Sequence, residues 1–166
     1  MRVGFRILLL GLFAVATVAL GQSASWSGGS MALRPDGARL ELKPAIESDA
    51  SALLGTSKSH RMTLVLRGIA TDRPPGTGYL VFLNLPEGVN ASLDDPGYVG
   101  GLNFFGMPGS SEGRSARAVS FEISEVIERL AQVGRLDEAL TLTIAPSGRP
   151  SPDAHPIIDA INIFVS

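Results

Sequence analysis

The 166-residue chain contains no cysteine. This absence excludes disulfide bonds, thiolate metal sites, cysteine nucleophiles and the lipid anchor that lipoproteins carry on an N-terminal cysteine. A single domain of this length can bury enough apolar surface to form a core without covalent cross-links. We therefore expect the hydrophobic core alone to stabilise the fold.

Long hydrophobic runs are also absent, except for one at the N-terminus. Arg2 and Arg6 form a basic segment that precedes the apolar run Ile7 to Leu20. Ala19-Leu20-Gly21 then provides small residues at the spacing of a cleavage site before Gln22. This pattern is typical of a secretory signal, and its apolar stretch is too short to span a bilayer comfortably. We predict that residues 1–21 are a signal peptide and that the protein is exported to the periplasm or the extracellular space. An uncleaved membrane anchor is the alternative; after cleavage we expect no stable membrane insertion.

Positive charge is scarce in the rest of the chain. The formal net charge of −2 at pH 7 becomes −4 once Arg2 and Arg6 are removed with the signal. No basic patch stands out in the remaining sequence. Binding to nucleic acid or to an anionic lipid surface is therefore not expected.

Alternation of apolar and polar residues predicts a mainly β fold. Such alternation indicates half-buried strands, and turn-forming residues separate most of them. The predicted strands are residues 39–43, 60–69, 79–85, 98–106, 119–123, 140–144 and 160–165. About seven strands with one short helix predict an antiparallel β-sandwich with Greek-key-like connections. The Ser- and Gly-rich residues 22–37 are predicted to be a flexible lead-in, and residues 38–166 the sandwich domain.

One helix is predicted in the last third of the chain. Four apolar residues share a stripe at helical spacing: Val126, Ile127, Leu130 and Ala131. This stripe is expected to lie against the sheet. Ser124 is the predicted N-cap, and Gly134 is placed to end the helix. A shorter helical turn is a further possibility at residues 50–54.

The most informative segment comprises residues 78–106, which predict a strand, a long polar loop and a second strand. The first strand, YLVFLNL, is apolar on both faces, as expected of a central strand that is covered on both sides. The sequence DDPG at residues 94–97 turns the chain into YVGGLNFFG. Long loops in compact domains are often functional, which draws attention to residues 88–98.

This succession resembles the β-rich C-terminal domain that follows the copper domain in tyrosinases and polyphenol oxidases. In that family a strand ending in Leu-Asn leads into an acidic loop and then a Gly-containing strand, as do Leu83-Asn84 and Tyr98-Val99-Gly100-Gly101 here. The last third also has the family's order of strand, short helix, strand ending in Pro146, loop and terminal strand. The resemblance spans residues 60 to 165, and the sequence contains no copper domain.

The resemblance does not imply that this chain is an oxidase by itself. A type-3 copper centre uses two sets of three histidines, and the chain has only His60 and His155. A lesser copper site of His60, Met62 and His155 is a minor alternative, and so is a catalytic pair of His155 with Asp153. We predict no catalytic residue, no metal and no cofactor.

Three aromatic residues beside the long loop are the predicted partner contacts: Tyr98, Phe104 and Phe105. In a regular strand Phe104 and Phe105 point to opposite faces, so that one lies in the core and the other is free to be covered by a loop or to meet a partner. In the oxidases this domain sits over the copper site and inserts a bulky side chain that blocks the substrate. The resemblance nominates Tyr98 for that role here.

Two functions from different classes follow. The first is a non-catalytic, exported accessory domain that shields or assists a separate copper-oxidase subunit. The second is a structural or ligand-binding β-sandwich of the cell envelope without an oxidase partner. A small enzyme that uses His155 and Asp153 is a third, minor hypothesis. A neighbouring gene for a histidine-rich copper domain would distinguish the first two.

Overall fold

The computed structural model describes residues 24–45, 52–58, 60–104, 117–136 and 139–166. Within these ranges the chain forms ten strands and two helices. In chain order they are β1 (Ala24–Gly28), β2 (Met31–Ala32), β3 (Ala38–Pro44), α1 (Ala52–Ser57), β4 (Met62–Arg67), β5 (Tyr79–Leu83), β6 (Tyr98–Leu102), β7 (Ala118–Glu122), α2 (Ser124–Gln132), β8 (Leu140–Pro146), β9 (Ile157–Ile158) and β10 (Ala160–Val165). Residues 1–21 and Phe105 lie outside the described ranges. Neither helix in them has the length and apolarity needed to cross a membrane.

Eight of the strands form one antiparallel sheet in the order β6-β5-β8-β3-β1-β10-β4-β7. The short strands β2 and β9 pair with each other. The two end strands, β6 and β7, approach each other closely. A Cβ added to Gly100 on β6 would lie only 2.7 Å from the ring of Phe121 on β7. The sheet therefore nearly closes on itself around a single core. The predicted mainly β, antiparallel fold is confirmed, although the sequence indicated fewer strands and only one definite helix.

Strand β1 joins the two halves of this sheet. It pairs with β10 on one side and with β3 on the other, and Trp26 is only 2% exposed in the shared core. The prediction of a flexible lead-in at residues 22–37 is therefore wrong from residue 24 onward. Its small residues suit a strand, because Ser27 faces solvent and Gly28 lies where a Cβ would be 2.7 Å from Leu40.

Helix α2 packs its predicted apolar stripe into the core. Its buried residues are Val126, Ile127 and Leu130. Gly134 ends the helix with a φ of 68°, a left-handed conformation that glycine adopts without steric cost. The N–H of Gly134 donates to the carbonyl of Ala131 at 3.1 Å, and the N–H of Arg135 donates to the carbonyl of Leu130 at 2.8 Å. The predicted C-terminal stop is confirmed, and α1 forms close to the predicted helical turn.

The predicted N-cap of α2 is wrong. Ile123 occupies the cap position without a capping side chain, and Ser124 is the first helical residue. The Ser124 hydroxyl instead accepts a hydrogen bond from the N–H of Met62 at 3.0 Å. Its own N–H donates to Glu122 at 2.9 Å, and hydrogen bonding by Ser124 lowers the pKa of Glu122. The Ser124 hydroxyl therefore satisfies a backbone N–H at the start of strand β4 rather than one at the start of its own helix.

Replacement of Trp26 by alanine is expected to destabilise the whole domain. Loss of a large buried aromatic side chain costs about 3–5 kcal/mol, a large part of the roughly 5–15 kcal/mol of a typical domain. Ser27→Ala, one residue away on the exposed face, is the control and should change the stability by less than about 0.5 kcal/mol. Urea unfolding measures both, and equal midpoints for the two variants would contradict the central position of β1.

Candidate contact loop

The loop between β5 and β6, here called the contact loop (Pro86–Gly97), begins beside an asparagine with unusual backbone geometry. Asn84 has a φ of 48°, a left-handed conformation that asparagine tolerates better than most residues. Its side-chain oxygen accepts the N–H of Thr141 at 2.7 Å. Its amide nitrogen donates to the carbonyls of Arg135 at 2.9 Å and Ala139 at 3.3 Å. Asn84 thus ties the end of β5 to β8 and to the connection after α2.

An ion pair closes the other end of the contact loop. Asp95 accepts two hydrogen bonds from Arg135, at 2.9 and 3.1 Å, in a bidentate arrangement. The two side chains are only 9% and 21% exposed, respectively, so the pair is largely shielded from water. Arg135 also donates to the carbonyl of Asn84 at 2.6 Å, and Asp95 accepts the N–H of Gly97 at 2.7 Å. One guanidinium group therefore holds both ends of the loop.

Gly97 is required where the contact loop meets β5. A Cβ at this position would lie 2.0 Å from the carbonyl oxygen of Leu83, and the N–H of Leu83 bonds to the Gly97 carbonyl at 2.9 Å. On the helix side, Arg129 donates to the carbonyls of Pro96 at 3.2 Å and Tyr98 at 3.1 Å. The loop base is therefore fixed by β5 and by α2.

The tip of the contact loop presents apolar side chains to solvent. Val89 is 50% exposed and Leu93 is 62% exposed. Val133, at the end of α2, is the other exposed large hydrophobic residue in the described part of the chain. Burial of apolar surface lowers the free energy. A loop with a fixed base and two exposed apolar side chains therefore suits contact with a second surface. The sequence signal was the length of the loop, but the individual tip residues were missed.

The predicted contact residues lie in three different settings. Tyr98 begins strand β6, where its half-buried ring lies 5.5 Å from that of Phe82. Phe104 is only 3% exposed and packs edge-on against Tyr79 with ring centroids 5.5 Å apart. Its prediction as a partner contact is therefore wrong, and Phe104 is the member of the Phe104–Phe105 pair that lies in the core. Phe105 lies outside the described residues. Of the three, only Tyr98 has described surface beside the contact loop.

The predicted pairing of His155 with Asp153 is not formed. His155 instead places Nδ1 at 2.7 Å from one oxygen of Asp72 and donates its backbone N–H to the other at 2.8 Å. Asp153 lies 4.0 Å from Arg73, in a solvent-exposed pair. The His155–Asp72 interaction joins two exposed loops and lowers the pKa of Asp72 to about 2.

The minor copper alternative is also not assembled. Met62 is fully buried in the core, whereas His60 is exposed and His155 is engaged with Asp72. Across the described ranges, no group of three or more His, Cys, Asp or Glu side chains could hold a metal ion.

Arg135→Gln is expected to cost about 3 kcal/mol of unfolding free energy, because it leaves the buried carboxylate of Asp95 without its charged partner. Arg73→Gln breaks the solvent-exposed pair with Asp153 and should cost less than about 1 kcal/mol. Chemical denaturation of both variants tests the difference. Equal losses would mean that the Asp95–Arg135 pair does not hold the loop base.

The Asp72 carboxyl is expected to titrate near pH 2 instead of at its ordinary pKa of 3.8. A lowered pKa in the folded state means that the stabilisation is complete above pH 3.8 and is lost as the pH falls through about 2. Carboxyl NMR titration of wild type and His155→Ala tests this. The variant should return the pKa of Asp72 toward 3.8; an unchanged value would show that His155 is not the cause.

Known structures share this fold. Latent aurone synthase, a polyphenol oxidase, matches with a TM-score of 0.52 and 21% sequence identity, over 81% of this chain and 26% of that chain. Latent apple tyrosinase matches with a TM-score of 0.53 and 14% identity, over 81% of this chain and 27% of that chain. The chain therefore spans about a quarter of the length of these structures. The likeness to the C-terminal domain of tyrosinases and polyphenol oxidases is confirmed at the level of the fold.

None of the curated proteins is similar enough in sequence to count as a relative. One protein family matches the chain, over residues 22–166. The chain belongs to this family, which is described as a domain of unknown function, DUF7868.

Proposed function

We propose that this chain is an exported, non-catalytic accessory domain that binds a separate tyrosinase-like copper oxidase and shields or assists it. The observation that carries the proposal is a fold shared with a quarter of each latent oxidase, combined with a contact loop whose base is held by an ion pair and whose tip exposes two apolar side chains. The N-terminal pattern of residues 1–21 supports export.

The chain's own chemistry supports a binding role. Its two histidines cannot supply the two sets of three imidazoles of a type-3 copper centre. His155 is paired with Asp72 in a solvated loop contact. Copper chemistry would therefore come from the partner, and this domain would act through the surface that it places against that partner.

The tip of the contact loop is the part of the surface best suited to reach a partner. Leu93 and Val89 can bury apolar area without rearrangement of the fold, since the base is already held by Asp95 and Arg135. Tyr98 lies at the edge of this surface, where its ring rests on Phe82. We therefore assign the blocking role to Leu93 in the first place and a supporting contact to Tyr98.

The alternative of a ligand-binding envelope module has one observation in its favour. A pocket beside the contact loop is lined by Arg39, an arginine without an acidic partner in the described ranges. A ligand at this pocket is compatible with either function.

Leu93→Ser and Val89→Ser are expected to weaken binding to a tyrosinase-like catalytic domain by about tenfold each, as for apolar residues central to an interface. Neither change should alter the melting temperature, because both side chains face solvent. Surface plasmon resonance with the copper domain encoded nearest to this gene, or with a tyrosinase catalytic domain, measures the affinity.

Val133→Ser is the matched control, since Val133 is 52% exposed but lies at the C-cap of α2, outside the loop. Tyr98→Ala should weaken binding and also cost about 0.5–1.5 kcal/mol of stability through the lost ring contact. Binding that is unaffected by both loop variants, or equally affected by Val133→Ser, would rule out the contact loop as the binding surface.

A further inference from the structure

An open pocket of about 280 Å³ lies beside the contact loop, where β5 ends. Its lining residues are Arg39, Asn84, Pro86, Arg135, Ala139 and Thr141. Two guanidinium groups and two polar side chains thus share one concave site with two apolar walls. The site is distinct from the exposed tip formed by Val89 and Leu93.

Arg39 is the cation at this pocket with unused hydrogen-bonding capacity. Its guanidinium group donates to the carbonyl of Leu85 and, at 3.3 Å, to the hydroxyl of Thr141. Arginine carries five N–H donors, so several stay free after these two contacts. Over the described ranges Arg39 forms no ion pair, not even with Glu41 on the same face of β3. Among the described residues it is therefore a positioned cation without a counter-charge.

Arg135 also lines the pocket, but its guanidinium group is already paired. Its terminal nitrogens are engaged by Asp95 and by the carbonyl of Asn84, so its charge is already balanced. Its Nε is buried without a hydrogen-bond partner. The side-chain amide of Asn84 is likewise engaged, with the carbonyls of Arg135 and Ala139. An incoming ligand would therefore be held chiefly by Arg39.

We propose that this pocket binds a carboxylate group carried on a small apolar or aromatic body. The planar fork of an arginine matches a carboxylate bidentately, and Pro86 and Ala139 provide apolar walls for the rest of the ligand. The carboxylate comes from a small organic acid or from an acidic side chain of another protein, because both present the same group. The inference does not depend on the accessory role.

Benzoate is the first probe, titrated into ¹⁵N-labelled protein. We expect saturable shifts of the Arg39 Nε–H, the Asn84 side-chain amide and the Thr141 amide, with a dissociation constant of about a millimolar. Arg39→Gln should weaken binding by about tenfold or more. Arg39→Lys should recover only part of the affinity, because lysine keeps the charge but lacks the fork.

Arg149→Gln, a solvent-exposed arginine in a distant loop, is the charge-matched control and should bind benzoate like wild type. Benzyl alcohol and added sodium chloride test whether the carboxylate itself is recognised. A short peptide with a single glutamate distinguishes the sources: tighter binding of the peptide indicates a protein ligand, and tighter binding of benzoate indicates a small acid.

Several results would overturn the proposal. They are shifts that do not saturate through the millimolar range, equal shifts with benzyl alcohol or chloride, and unchanged binding by an Arg39→Gln variant whose spectrum shows it to be folded. Because the readout is ligand binding alone, its failure would leave the oxidase-contact proposal intact, and the reverse also holds.

Discussion

The guanidinium group of Arg135 connects the segment after α2 with both ends of the contact loop. It pairs with Asp95 at the end of the contact loop and bonds to the carbonyl of Asn84 at its beginning. The backbone carbonyl of Arg135 also accepts a hydrogen bond from the side-chain amide of Asn84. The loop base, the turn after β5 and one wall of the pocket all depend on this residue. Because the ion pair is largely buried, loss of either charge would leave the other poorly solvated.

This arrangement places two surfaces of different chemistry side by side. The loop tip exposes the apolar side chains of Val89 and Leu93, whereas the pocket is lined by two arginines, Arg39 and Arg135. Both rest on the same end of β5 and on the residue that follows α2.

The places where sequence and structure disagree have specific physical causes. Residues 24–28 contain mostly small residues, which resemble a linker by composition, but Trp26 anchors them as a strand between two others. Serine is a residue type favoured at N-caps, yet the hydroxyl of Ser124 accepts a hydrogen bond from the first N–H of β4. Phe104 stands beside a long loop in sequence, but Tyr79 and the sheet bury it. In each case a partner far away in sequence overrides the local preference.

The alternation of apolar residues in the sequence determined the antiparallel β class, because each strand must direct one face toward the core. The stripe of α2, the glycine that ends it and the position of the long loop were determined in the same local way. Only the tertiary structure decided that the sheet nearly closes, that β1 joins its halves, and that Arg135 meets Asp95. It also decided that His155 faces Asp72 and that Arg39 stands without a counter-charge in the described ranges. These features depend on which distant side chains meet, and local sequence patterns carry no information about such long-range contacts.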